Sequence, residues 1–97
     1  MTDQLENVTP GTILKGDFLD AIGITPADLA KATGIPTGCL TEILNGQREV
    51  GAEIDLRLCR YFGLTEGYWL RLQMAHDLMA TRRRIGPEID RIAPHGT

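Results

Sequence analysis

The sequence predicts an all-α domain of five helices with a helix-turn-helix in its first half. Three observations carry this. Apolar residues recur at helical spacing, and no segment keeps a two-residue alternation between hairpin turns. Cap and stop residues divide that pattern into five pieces. Within residues 26–45, Ala30, Gly34 and Leu40 stand at the spacing that a tight crossing of two helices requires.

The elements follow in order. Residues 1–9 are polar and are expected to form a frayed arm. Pro10-Gly11 precedes a first helix over about 11–22, with Leu14, Phe18 and Ile22 on its apolar face and Gly23 as its stop. Thr25-Pro26-Ala27-Asp28 is a strong start for the second. Thr25 can cap, Pro26 suits the first helical position, and Asp28 favours the positive end of the dipole. This helix reaches about Thr33, where Gly34 and Ile35-Pro36 make a turn. A third helix covers about 37–44 and ends at Asn45-Gly46. The fourth runs Ala52 to Phe62, with Ile54, Leu58, Tyr61 and Phe62 facing inward and Gly63 as its stop. Thr65 is expected to cap a fifth helix over about 66–82. Gly86-Pro87 then opens a tail with at most a short turn at 88–92. One domain is expected over 1–97: an arm 1–9, a core 10–82 and a tail 85–97.

Each residue of the helix-turn-helix has a mechanical task. Ala30 is small because two helices cross there. Gly34 supplies the positive φ of the sharp turn. Leu40, supported by Ile43, packs the second helix back onto the first, and Leu29 and Ile35 complete the apolar seam.

The bulk numbers narrow the function. Hydrophobic residues make up 42% and charged residues 24%, an ordinary globular balance. No apolar run approaches membrane-spanning length and no signal peptide opens the chain, so a cytoplasmic protein is expected. Cys39 and Cys59 lie far apart with no CxxC or Cys/His pairing, so no metal or cofactor is expected. Cys39 is expected to face the surface and Cys59 to be partly buried. A net charge of −3 argues against nonspecific nucleic-acid binding, although local distribution matters more than the total.

Four longer stretches carry a resemblance. They are Pro10-Gly11-Thr12-Ile13-Leu14, Ile43-Leu44-Asn45-Gly46-Gln47-Arg48, Leu56-Arg57-Leu58-Cys59-Arg60-Tyr61-Phe62-Gly63, and the Trp69-to-Leu78 stretch WLRLQMAHDL. The chain resembles the HigA/VapI group of antitoxins over about residues 9–80. That group lies within the five-helix, phage-repressor-like helix-turn-helix proteins. The resemblance implies an antitoxin with no enzymatic activity, made beside a HigB-like toxin that cleaves mRNA on the ribosome. It also implies a homodimer that binds operator DNA and represses its own operon.

Placed on the repressor pattern, Thr37, Gly38, Thr41 and Glu42 fall at base-facing positions of the recognition helix. Cys39 falls where relatives often carry a phosphate-touching serine, and Asn45, Gln47 and Arg48 lie on the following turn near the backbone. The set is sparse. No Arg or Lys is placed to grip guanine, and no Asn or Gln at the helix front to grip adenine. The two threonines can exchange hydrogen bonds and touch a thymine methyl. Glu42 can accept from cytosine N4 yet repels phosphate. From Thr25 to Glu49, Lys31 and Arg48 stand against Asp28, Glu42 and Glu49, or +2 against −3.

The fifth helix is more apolar than one core face needs. Leu70, Met74 and Leu78 form a stripe at i, i+4, i+8 and are the expected dimer interface. Trp69 belongs to the core. His76-Asp77 makes neither a nucleophile nor a metal site, so no catalytic residue is expected. Arg82-Arg83-Arg84 reads as a solvated helix end that complements the dipole. Asp17, Asp20 and Asp28 suit a basic toxin, but a solvated helix face is the favoured reading of each. A stand-alone regulator without a toxin, and an interaction module that has lost DNA binding, stay open as alternatives.

Overall fold

The computed structural model describes residues 6–96; the first five residues of the expected arm and Thr97 lie outside them. Five helices and no strand are found among the described residues. Helix α1 (Pro10–Ile13) continues directly into a π-helical segment, Leu14–Asp20. It is followed by α2 (Pro26–Thr33), α3 (Thr37–Leu44), α4 (Ala52–Phe62) and α5 (Tyr68–Asp90).

The α1 start is fixed locally. The Thr9 hydroxyl accepts from Thr12 N at 3.2 Å, and Pro10 occupies the first turn. The π-helical stretch corrects the expected apolar face. A pitch of i to i+5 brings Leu14 and Leu19 into line. Both are buried, Phe18 is half-buried, and Ile22 is left 58% exposed. The i, i+4 reading had placed Ile22 inside.

Helix α2 carries the full capping box. Thr25 Oγ1 accepts from Asp28 N at 3.1 Å, and Asp28 Oδ2 accepts from Thr25 N at 3.3 Å. Gly34 ends the helix in the left-handed region, at φ 78°. The Arg57 guanidinium donates to the freed carbonyl of Thr33 at 2.8 Å, tying α4 to this turn.

The buried apolar core joins all five helices: Leu14 and Leu19, Leu29, Leu40 and Ile43, Leu58, and Trp69, with Ile35 and Val50 from the connections. Burying each large side chain of this kind contributes about 1.5–3 kcal/mol. Phe18, Phe62, Tyr68 and Trp69 form an aromatic cluster, with Phe18–Phe62 and Phe18–Trp69 centroids 4.8 and 5.0 Å apart. Tyr61, expected inside, points to solvent, and α4 buries Asp55 and Cys59 instead.

Helix α5 departs from expectation at both ends. Gly67 is its N-cap, not Thr65, and the helix reaches Asp90 rather than stopping near 82. Its regular geometry breaks at Ile85 (φ −128°, ψ 19°). Pro87 then sits in the first turn of the resumed helix, where a missing N–H costs nothing. An Arg82–Asp90 ion pair of 2.8 Å spans the break. The expected tail is therefore half helix. No helix of the described residues is long and apolar enough to cross a membrane.

Candidate nucleic-acid interface

The recognition helix α3 is held from behind. Leu40 and Ile43 are buried, and Ala30 on α2 is almost so. Helix α1 seats on its far end through Gly11. A Cβ at Gly11 would fall onto the Ile43 carbonyl oxygen and lie 3.0 Å from Leu44 Cα. The glycine is thus required by a backbone-to-backbone approach, not only by the start of a helix.

The outward face of α3 is free of such duties. Thr37, Gly38 and Thr41 are exposed, and a Cβ at Gly38 would meet nothing within 4 Å. Asn45, Gln47 and Arg48 are exposed on the following turn. The turn is closed by Gln47 N donating to Glu42 O at 2.8 Å. Cys39 departs from the expected surface position: it is half-buried and packed against the core. One turn before Ile43, its side chain follows the inward face.

Glu42 and Arg48 are not independent. Arg48 Nη2 lies 2.6 Å from Glu42 Oε1, and Arg48 Nε donates to the same oxygen at 2.7 Å. That hydrogen bond, and then the Glu42 charge, push the Arg48 guanidinium above its ordinary range, with a smaller contribution from Cys39. The chain thereby neutralises its own acid on the recognition face.

The expected dimer stripe is partly outside the core. Met74 is 61% and Leu78 65% exposed, while Leu70 is half-buried. A shallow groove runs along them, lined also by Val50, Gln73 and Thr81. Trp69 is fully buried, as expected, although its indole N–H has no hydrogen-bond partner.

Three residues with structural tasks at this site carried no sign of them in the sequence. Asp55 is 1% exposed and caps α5 from α4. Its Oδ2 accepts from Gly67 N at 2.7 Å, and its Oδ1 accepts from Trp69 N at 2.8 Å and Leu70 N at 3.1 Å. The Cys59 thiol adds a 3.6 Å contact to Oδ1 and donates to the Thr65 carbonyl at 3.4 Å. Burial pushes that thiol up, against the lowering pull of the Tyr68 backbone. Gln73 accepts from Val50 N at 2.9 Å and donates to Asp77 Oδ1 at 2.9 Å. Asp77 therefore orients Gln73 on its own helix. His76 holds the arm: its carbonyl accepts from Asn7 Nδ2 at 2.9 Å, and its Nδ1 lies 3.3 Å from the Val8 carbonyl. Asn7 and Val8, expected to fray, are tied down in this way.

No family model matches the chain. Individual proteins do. Virulence-associated protein I of Dichelobacter nodosus is 37% identical over 78% of this chain and 70% of its own length. Antitoxin HigA-1 of Vibrio cholerae is 34% identical over 90% of this chain and 82% of its own. The Pseudomonas aeruginosa antitoxin HigA, solved with the higBA promoter, superposes with a TM-score of 0.86 at 32% identity, covering 93% of this chain and 99% of that one. With the helix-turn-helix, the helices that flank it and the sequence shared along nearly their whole length, this chain belongs to the HigA family of helix-turn-helix antitoxins.

Proposed function

We propose that this chain is the antitoxin of a toxin–antitoxin module and binds an operator palindrome as a homodimer. Its second task is to hold a HigB-like, mRNA-cleaving toxin in a protein complex in the cytoplasm. Its chemistry is recognition, not catalysis. The observation that carries the DNA-binding part is the division of α3 into two faces. Leu40 and Ile43 fix the helix from inside, while Thr37, Gly38 and Thr41 have no internal task. Family membership points the same way: the Pseudomonas aeruginosa relative was solved with its promoter.

The assignments are specific. Thr37 and Thr41 meet base edges, and Gly38 lets the helix backbone approach the groove. Glu42 faces the bases, while Cys39, turned toward the core, is left out of the contact set. Asn45 and Gln47 lie beside the backbone strand, with Arg48 on the same turn drawn onto Glu42. Leu70, Met74 and Leu78 pair with their copies, so that two recognition helices sit about 34–36 Å apart, one turn of DNA. The alternative of a module that has lost DNA binding draws on the sparse, acidic recognition face, and the Glu42–Arg48 pair removes one charge of each sign, leaving that balance unchanged.

The test is binding to a labelled duplex from upstream of the gene, beside a scrambled duplex, at several salt concentrations. Preference for the native duplex, weakened by Thr41→Ala, supports the reading. Equal, negligible binding by a folded dimer refutes it. Leu78→Glu should convert the dimer to monomer in sedimentation and abolish operator binding without touching α3. Co-purification with the product of an adjacent toxin-sized reading frame tests the antitoxin part; without such a partner, the stand-alone regulator holds.

A further inference from the structure

Glu42 stands in the last turn of α3, partly exposed, and a carboxylate there opposes a polyanion. A solvated acid explains its presence but not its geometry. Two of the three guanidinium nitrogens of Arg48, Nη2 and Nε, converge on Glu42 Oε1, at 2.6 and 2.7 Å, across six residues and the bend that ends α3. Arg48 and Lys31 are the only basic residues between Thr25 and Glu49. With Arg48 engaged, Lys31 is the one other cation of that segment.

From this geometry we propose that Glu42 is a specificity-determining residue that acts through Arg48. It holds the guanidinium away from the sugar–phosphate strand and so suppresses binding to DNA of any sequence. Only a duplex whose base edges satisfy Thr37 and Thr41 then repays docking of α3. The inference rests on the operator-binding reading and adds how a nearly uncharged recognition surface can discriminate. A protein that gripped phosphate freely would gain affinity equally on all the competing sites of a genome and lose relative preference for its own. Glu42 Oε2 takes no part in the pair and stays available as an acceptor.

The substitution that tests this is Glu42→Gln, which keeps the shape and removes the charge. Both partners are about half exposed, so the fold should persist, and thermal melting of each variant checks it. Binding of wild type, E42Q, R48A and the double variant is measured on operator and scrambled duplexes from about 50 to 200 mM salt. One newly engaged phosphate steepens the salt slope by about 0.9. The ratio of E42Q to wild-type affinity for the scrambled duplex should therefore fall about 3.5-fold across that range. R48A alone should change the scrambled-duplex salt slope by much less than the roughly 0.9 of one phosphate contact, because Arg48 is already withheld. In the double variant the E42Q gain should vanish. A gain that persists without Arg48 overturns the proposal, since Glu42 would then act by direct repulsion. An E42Q protein with wild-type slope and scrambled-duplex affinity overturns it too, leaving operator preference intact. Absence of operator preference in the wild type overturns both readings.

Discussion

Replacing Asp55 by alanine should unfold this protein at a much lower temperature, and the size of the loss can be worked from the structure. The carboxylate serves three backbone N–H groups at the start of α5. Trp69 N is buried with no water to replace it, and leaving such a donor unpaired costs about 1–3 kcal/mol. Gly67 and Leu70 are half-buried, so water restores part of their bonding, and about 0.5–1 kcal/mol each is a fair charge. The sum is about 2–5 kcal/mol, a large share of the roughly 5–15 kcal/mol that holds a domain folded. For a chain of this size each kcal/mol moves Tm by about 4–8 °C, so a fall on the order of 10–40 °C is expected.

The assay is far-UV circular dichroism on heating and urea denaturation, with protomer concentration held constant because dimerisation contributes. Asp55→Asn is the graded control. It keeps one carbonyl acceptor but turns an amide N–H₂ toward a backbone donor, so its stability should lie between wild type and D55A. Trp69 fluorescence should shift in the same order, since the backbone N–H of Trp69 itself loses its acceptor. If D55A unfolds within about 1 kcal/mol of wild type, the capping account is wrong and packing alone orients α5.

The remaining predictions concern other parts of the frame. Gly11→Ala drives a methyl group into the Ile43 carbonyl and should cost about 1–3 kcal/mol in urea unfolding. Gly38→Ala should do the reverse and stabilise by about 1 kcal/mol, because the new methyl meets nothing in the chain. It should nevertheless weaken operator binding; unchanged binding would remove the reason offered for that glycine. Cys59 titrates above an ordinary thiol in the folded protein, so its contribution is complete below about pH 8.5 and is lost as pH rises through the raised folded value. The stability difference between wild type and Cys59→Ala should therefore stay level from pH 6 to 8 and narrow above that, by urea midpoints. Alkylation of native protein should label Cys39 before Cys59.

What was legible in the sequence was whatever is decided locally. The Thr25–Asp28 capping box, the Gly34 turn and the Ala30–Leu40 crossing each depend on residues a few positions apart, and each appears where its chemistry requires. Ile22 was misplaced because the apolar pattern was read at one fixed pitch, while the π-helical turn between Leu14 and Asp20 carries Leu19 inward in its place. Gly86-Pro87 looks like a terminator, yet proline is harmless in a first turn and the helix resumes around it. Asp55 was invisible for another reason. Acids are ordinary on the polar side of a helix, and its partners lie 12 to 15 residues further on. Among the proposed DNA contacts, the outward positions followed from the fold, but the pairing of Glu42 with Arg48 depends on how the chain bends after Leu44. No periodicity reports that bend.

These long-range bonds give operator reading and dimer spacing a common support. Val50 follows the recognition helix by six residues, and its N–H is held by Gln73, which Asp77 orients from the next turn of α5. The proposed dimer stripe of Leu70, Met74 and Leu78 lies on that same helix, whose first turn Asp55 fixes against α4. In the proposed dimer, the distance between two recognition helices then depends on the polar contacts of Gln73 and Asp55 as well as on apolar packing. A sparse recognition face makes that spacing matter more. With few strong base contacts in each half-site, preference depends on engaging both halves at once, and a misaligned second helix forfeits that coupling. Gln73→Leu, close in volume but unable to accept the Val50 N–H, should thus lower operator affinity more than it lowers dimerisation. Loss of both in equal measure would place Gln73 in the dimer contact itself rather than in the alignment of the reading helices.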